Sequence, residues 1–226
     1  MTAGPTLDVE QAFFAAGAPV VIGVDEVGRG AIAGVVAVGV CAILPGVDAP
    51  PVRLRDSKLL SPARRAEVEP LVHSWAAAVA VGEAEPAEID EHGIVAALGM
   101  AARRGLIALH AAGVDVAAAT VLLDGSHDWL TPALSSPPRI LTRVKADRDC
   151  ASVAGASVVA KQHRDALMVA DHDRWPVYGW NGNKGYGSPD HLAAVAAHGA
   201  SPRHRVTWLR QPSLLDGLDS APGATV

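Results

Sequence analysis

Val20-Val21-Ile22-Gly23-Val24-Asp25-Glu26-Val27-Gly28-Arg29-Gly30 reads as an apolar, β-branched strand that runs into two carboxylates and a glycine turn. The next apolar run, Val35 to Leu44, is a second strand placed to pair back on the first as a hairpin. Taken alone, an acidic pair after a strand is a solvated turn with a cap. In any drier setting the pair is costly unless a cation or hydrogen-bond donors compensate it. Gly28, Gly30 and Ala33 also match the spacing G-x-G-x-x-A. A dinucleotide fold would start a helix at those glycines, whereas a strand follows here, and the two carboxylates would face the pyrophosphate.

Further along, Ser61-Pro62 is a helix start, a hydroxyl cap followed by proline in the first turn, and that helix extends to about Trp75. Ala76 to Glu83 reads as a strand and Pro86 to Gly113 as a helical region with an Ile94, Leu98, Leu106, Leu109 stripe. Thr120 to Leu123 is a buried strand, Arg139 to Lys145 another, and Ala151 to about Asp171 a helix of small residues. Ser188-Pro189 and Ser201-Pro202 repeat the helix-start pattern. Strands come early and helices accumulate late, so the expected class is α/β with a mixed sheet and a helical C-terminal part at about 186–210. Residues 1–17 are expected to be a flexible arm, or a short helix carrying Phe13 and Phe14, residues 18–210 one domain, and 211–226 a frayed tail.

Composition narrows the function classes. The chain has 226 residues, half of them apolar, enough for a sizeable core. A formal charge of −5 excludes a polycation that coats nucleic acid indiscriminately. Cys41 and Cys150 are too few for a disulfide framework or a four-thiolate zinc site and suit a reducing compartment. Ala31 to Val47 is the longest uncharged run, but its glycines, Pro45 and strand-like alternation argue against a membrane span. Asp8 and Glu10 stand where a signal peptide would carry basic residues, so a cytoplasmic protein is expected. Only four lysines occur, Lys58, Lys145, Lys161 and Lys184, against 15 arginines. An ammonium and a guanidinium fork are not interchangeable, so geometry is a reason for keeping these four.

Acids recur at strand ends. Asp124 follows Val121-Leu122-Leu123, and Asp147 follows Val144-Lys145-Ala146. Ligands of open α/β sheets bind at the carboxyl ends of the strands, and oxygen-only donors suit Mg²⁺ or Mn²⁺. The nine histidines are scattered, with His163, His172 and His204 read as hydrogen-bonding or surface residues.

These residues carry a resemblance. Gly23 to Gly30, then Asp56-Ser57-Lys58-Leu59, Leu123-Asp124-Gly125, Val144-Lys145-Ala146-Asp147, Ala156 to Asp165, Asn183-Lys184-Gly185-Tyr186-Gly187 and Pro202-Arg203-His204-Arg205 follow the motif order of bacterial ribonuclease HII. All four lysines fall inside these seven motifs. The chain departs from the family's pattern at Ala31, Val35, Ala146, Asn183 and Gly155, the last expected to loosen its helix.

The resemblance implies a ribonuclease H-like fold and a metal-dependent endoribonuclease. Its substrates would be RNA–DNA hybrids and duplex DNA containing ribonucleotides, cut on the 5′ side of the ribonucleotide through two Mg²⁺ or Mn²⁺ ions. Asp25, Glu26, Asp124 and Asp147 would be the catalytic, metal-binding carboxylates. Gly28-Arg29-Gly30 would read the 2′-hydroxyl through the main chain, and Tyr186 would stack on the next, deoxy, sugar. Lys58 and Lys184 would contact phosphates, Ser157 and Lys161 would form a backbone-binding pocket, and Arg203, Arg205 and Arg210 a basic track. Asp56 and Asp165 are read as structural. A monomer without membrane contact is expected. A small-molecule phosphotransferase and a catalytically inactive nucleic-acid-binding module are the alternatives; Tyr186 with the basic segment speaks against the first, and the four acids against the second.

Overall fold

The computed structural model describes residues 4–209. In chain order the elements are α1 (Asp8–Ala15), β1 (Val21–Val27), β2 (Val36–Ile43), α2 (Pro62–Trp75), β3 (Ala78–Ala84), α3 (Pro86–Ala111), β4 (Thr120–Asp124), β5 (Arg139–Arg143), α4 (Ala146–Asp149), α5 (Ala151–Arg174), α6 (Trp180–Asn183), α7 (Pro189–His198) and α8 (Val206–Leu209). One five-stranded mixed sheet has the order β3-β2-β1-β4-β5. The β1–β2 and β2–β3 pairs are antiparallel; β1–β4 and β4–β5 are parallel.

β1 is central and covered on both faces, which is why Val21, Ile22 and Val24 are apolar in sequence and buried without exception. Side chains alternate across the sheet. Ile22 and Val24 join Val38, Val40, Leu98 and Leu106 on the α3 side, whereas Val21 joins Cys41, Ala154 and Val158 on the α5 side. α3 is by length and composition apolar enough to cross a membrane. Its apolar stripe is instead buried against the sheet.

Ser61 and Ser188 cap α2 and α7 as their Ser-Pro starts predict. Ser201-Pro202 differs: Ser201 holds the ring of His204 and the segment is a turn, α8 starting only at Val206.

The N-terminal residues are not an arm within the described range. Leu7 and Glu10 are buried, and the Glu10 carboxylate accepts from Ser152 N (2.9 Å) and Ser152 Oγ (2.7 Å) at the start of α5. Ser152 N is one of the backbone donors a helix N-terminus leaves free, and no local side-chain cap supplies an acceptor there. The helix runs unbroken through Gly155, where packing asks for glycine. A Cβ there would stand 3.1 Å from Cys41 Sγ and 3.2 Å from Val72, so glycine permits the close seating of α5 on β2. The expected tail, 211–226, and Arg210 lie outside the described residues.

Candidate active site

Strand periodicity places the acids. Gly23 and Asp25 face α5 on the side of Val21, and a Cβ at Gly23 would lie 2.2 Å from the Ser152 carbonyl carbon. Asp25, two residues on, is therefore driven into the same contact and is 2% exposed, whereas Glu26 points to the other face and is half-buried. Val24 pairs with Leu123, so one residue further on Asp25 and Asp124 lie side by side on neighbouring parallel strands. Asp147 arrives on α4, after Lys145 turns the chain in the left-handed region (φ 62°).

Each carboxylate is engaged by the protein. Asp25 Oδ1 accepts from Glu26 N (2.9 Å), and Asp25 Oδ2 is buried without a hydrogen-bond partner among the described residues. Burial raises the Asp25 pKa to about 8, the Ser157 hydroxyl offsetting part of this and the Glu26 charge adding to it. Glu26 and Asp124 are also raised, chiefly by burial. Arg29 pairs with Glu26 at 3.4 Å, and Asp124 Oδ1 accepts from Ala146 N at 2.7 Å. Lys58 Nζ sits 3.0 Å from Asp147 Oδ2. Burial opposes the charge of Lys58, but that hydrogen bond and the Asp25, Asp147 and Asp56 charges raise its pKa above the ordinary lysine range.

Among the described residues no three His, Cys, Asp or Glu side chains are close enough to ligate one ion as placed. The donor chemistry nevertheless fits a hard divalent cation: carboxylate oxygens only, one of them buried and unpartnered.

A cleft of about 230 Å³ opens over this edge, lined by Asp25, Glu26, Asp124, the Gly28-Arg29-Gly30 loop, Lys58, Lys161 and Tyr186. Tyr186 is 40% exposed. Its loop is tied to the glycine loop, since Ile32 N and Ala33 N both donate to Gly185 O. It is tied again from behind, because His191 Nδ1 bonds Tyr186 O at 2.8 Å. Ser201 N donates to His204 Nδ1, which puts the His204 proton on Nε2, aimed at His191 Nε2 (3.1 Å). Burial and the neighbouring His191 push the His204 pKa down to about 4, so the pair is neutral. Asn183, one of the departures, bonds Tyr178 O and Gly185 N and so closes the same turn.

The family model described as Ribonuclease HII matches residues 22–211. The chain belongs to the ribonuclease HII family. The ribonuclease HII of Streptomyces griseus is 45% identical over 208 residues, covering 90% of this chain and 84% of that protein. That of Thermus thermophilus is 42% identical over 185 residues, covering 82% and 84%. Among solved structures, ribonuclease H2 from Pyrococcus horikoshii superposes with a TM-score of 0.65 at 25% identity, covering 84% of this chain and 93% of that one. As a ribonuclease HII, the chain is a metal-dependent ribonuclease acting on RNA–DNA hybrids.

Several expected contacts of this ribonuclease HII are corrected by the packing. Arg205 is fully buried and Arg203 is paired with Asp171 (2.6 Å) and Glu85 (2.5 Å), so neither belongs to a surface phosphate track. Ser157 is fully buried and bonds Ser57 Oγ at 2.9 Å, where it supports the Asp25 environment and cannot line a backbone pocket. Lys161 does line the cleft but is engaged by Asp165 at 2.5 Å. Lys184 is partly exposed, bonds Asn181 O and does not line the cleft.

Sequence reasoning assigned no role to Arg65 or Arg164. Arg65 joins Asp165 to the carbonyls of Ser57 and Leu60 and so fixes the turn that carries Lys58. Arg164 is buried behind the glycine loop. Arg164 lies inside the Ala156 to Asp165 motif, which was its available signal; Arg65 lies six residues past Leu59, outside any motif.

Proposed function

We propose that this ribonuclease HII cuts on the 5′ side of a ribonucleotide, in RNA–DNA hybrids and at single ribonucleotides embedded in duplex DNA, leaving 3′-hydroxyl and 5′-phosphate ends. The observation that carries this is one cleft lined both by Asp25, whose carboxylate holds a buried, unpartnered oxygen, and by the Gly28-Arg29-Gly30 loop. Asp25, Glu26, Asp124 and Asp147 are the groups that would hold Mg²⁺ or Mn²⁺. When bound, a pair of such ions supplies an activated water and stabilises the leaving 3′ oxygen.

The chain's own residues do the selecting. Main-chain donors of the glycine loop meet the 2′-hydroxyl, the group that separates RNA from DNA at one sugar. Tyr186 stacks on the following deoxyribose, and Lys58, which lines the cleft, contacts a phosphate beside the scissile bond. The chain is proposed to act as a monomer. The two buried free cysteines accord with a reducing compartment such as the cytoplasm.

The test is a duplex DNA with one ribonucleotide, incubated with Mg²⁺ or Mn²⁺, and end-group analysis of the products. One cut 5′ to the ribonucleotide is expected. Binding of that duplex without cleavage under either metal would overturn the proposal in favour of an inactive binding module.

A further inference from the structure

Two guanidinium groups are buried behind the glycine loop, and every hydrogen bond either one makes goes to a backbone carbonyl. Arg205 donates to Gly28 O (2.7 Å), Arg29 O (2.9 Å), Gly34 O (3.1 Å) and Val35 O (3.2 Å). Arg164 donates to Val35 O (2.9 Å), Lys184 O (2.9 Å) and Ala33 O (3.1 Å). Burying a cation is expensive unless its donors are satisfied. A rigid fork of five N–H groups meets that demand against converging carbonyls, whereas a single ammonium would not. Gly28 is committed to the arrangement: its φ is +85°, and a Cβ would stand 2.0 Å from Arg164 Nε.

This clamp has a consequence on the other side of the loop. In a trans peptide the C=O and N–H of one plane point in opposite directions, and no peptide bond among the described residues is cis. With the Gly28 and Arg29 carbonyls drawn onto Arg205, the N–H groups of Arg29 and Gly30 are turned away from it. Both residues line the cleft, and neither N–H donates to an acceptor among the described residues.

We infer that Arg205 is a specificity-determining positioning residue: by holding the Gly28 and Arg29 carbonyls it presents the Arg29 and Gly30 N–H groups to the 2′-oxygen of a ribonucleotide. The inference rests on the function proposed above and deepens it, naming what sets the preference for ribose. Arg205 itself touches no substrate. Trp208, whose ring lies 5.0 Å from the Arg205 guanidinium, holds the clamp from behind.

The test uses Arg205→Lys in the full chain. Affinity is measured by fluorescence anisotropy in EDTA, so that nothing is cut, for an all-DNA duplex and for the same duplex with one ribonucleotide. Melting curves accompany both. The wild type should favour the ribonucleotide duplex. Arg205→Lys should hold its all-DNA affinity within about twofold while the preference falls about fivefold or more, the worth of one or two neutral hydrogen bonds. An unchanged preference, or an equal loss on both duplexes, overturns the inference. If Arg205→Lys does not melt cooperatively, Trp208→Leu replaces it, with a fall in preference of about twofold expected from the weakened cation–π contact. An unchanged preference in that variant overturns the inference equally. A wild type that binds the two duplexes alike yet cuts at the ribonucleotide overturns this inference alone; one that cuts neither with Mg²⁺ or Mn²⁺ overturns the proposed function.

Discussion

Asp25 is one of the groups that set how the metal-free protein responds to pH, beside Glu10, Glu26 and Asp124, whose carboxyls burial also raises. Its carboxyl is raised from the ordinary aspartate range to about 8 in the fold, so the native state binds the proton more tightly than the unfolded chain. The resulting stability is fully present below about pH 4 and is lost as pH rises through about 8. Asp25→Asn removes that dependence. In EDTA, its melting temperature should gain on the wild type steadily between about pH 5 and about pH 8.5; a difference that stays constant would show that Asp25 is not the group responsible. Asp124→Asn makes a different point. The amide oxygen can still accept from Ala146 N and Asp147 N, so the fold is retained. Turnover should drop by about a thousandfold or more, since several kcal/mol of charge stabilisation depend on the carboxylates. Relief of repulsion with Asp147 should leave its metal-free melting temperature equal to or above the wild type. Near wild-type cleavage would remove Asp124 from the metal site.

At the scale of elements, the seating of α5 on β1 and β2 delivers Asp25 to Ser157. That contact is backbone against backbone at Gly23, so Gly23→Ala has no flexible neighbour to displace. Overpacking there should cost about 1–3 kcal/mol, which at this chain length lowers the melting temperature by about 2–4 °C for each kcal/mol. The loop between α6 and α7 behaves oppositely, because its anchors are Asn183, Gly185 and His191 while the Tyr186 ring remains exposed. Tyr186→Ala should therefore melt like the wild type but cut a single-ribonucleotide substrate about 5- to 150-fold more slowly, the worth of about 1–3 kcal/mol of stacking. Tyr186→Phe should lose far less, since the ring makes the contact. Long RNA–DNA hybrids should suffer less than the junction; equal losses on both substrates would reduce Tyr186 to a support of the fold.

Over the whole molecule, Arg203 is taken up by Asp171 and Glu85 and Arg205 is buried, so neither is a free cation for phosphate. Arg203→Gln should thus leave the salt dependence of duplex binding unchanged. Lys184→Gln should lower the log–log slope by about 0.9 if its ammonium neutralises one phosphate. Titrations between about 50 and about 200 mM salt separate the two cases, and a shallower slope in Arg203→Gln would restore that residue to the binding surface. Glu10 acts at the same scale, joining the N-terminal helix to the start of α5 across most of the chain.

What was legible in the residues themselves was local. The alternation from Val20 to Leu44, the Ser-Pro starts of α2 and α7, and acids at the ends of apolar runs all follow from backbone periodicity and capping, and they located the mixed sheet and the acidic edge. Seven motifs in order then pointed to the family. The fate of individual polar side chains was not legible. Arg205 looks like a solvent cation in its basic segment, yet its partner Gly28 is 177 positions away; Ser157 meets Ser57 across 100 positions. Whether a guanidinium contacts phosphate or backbone carbonyls depends on which surface covers it. That covering is made by contacts between distant segments, so only the tertiary structure could decide it.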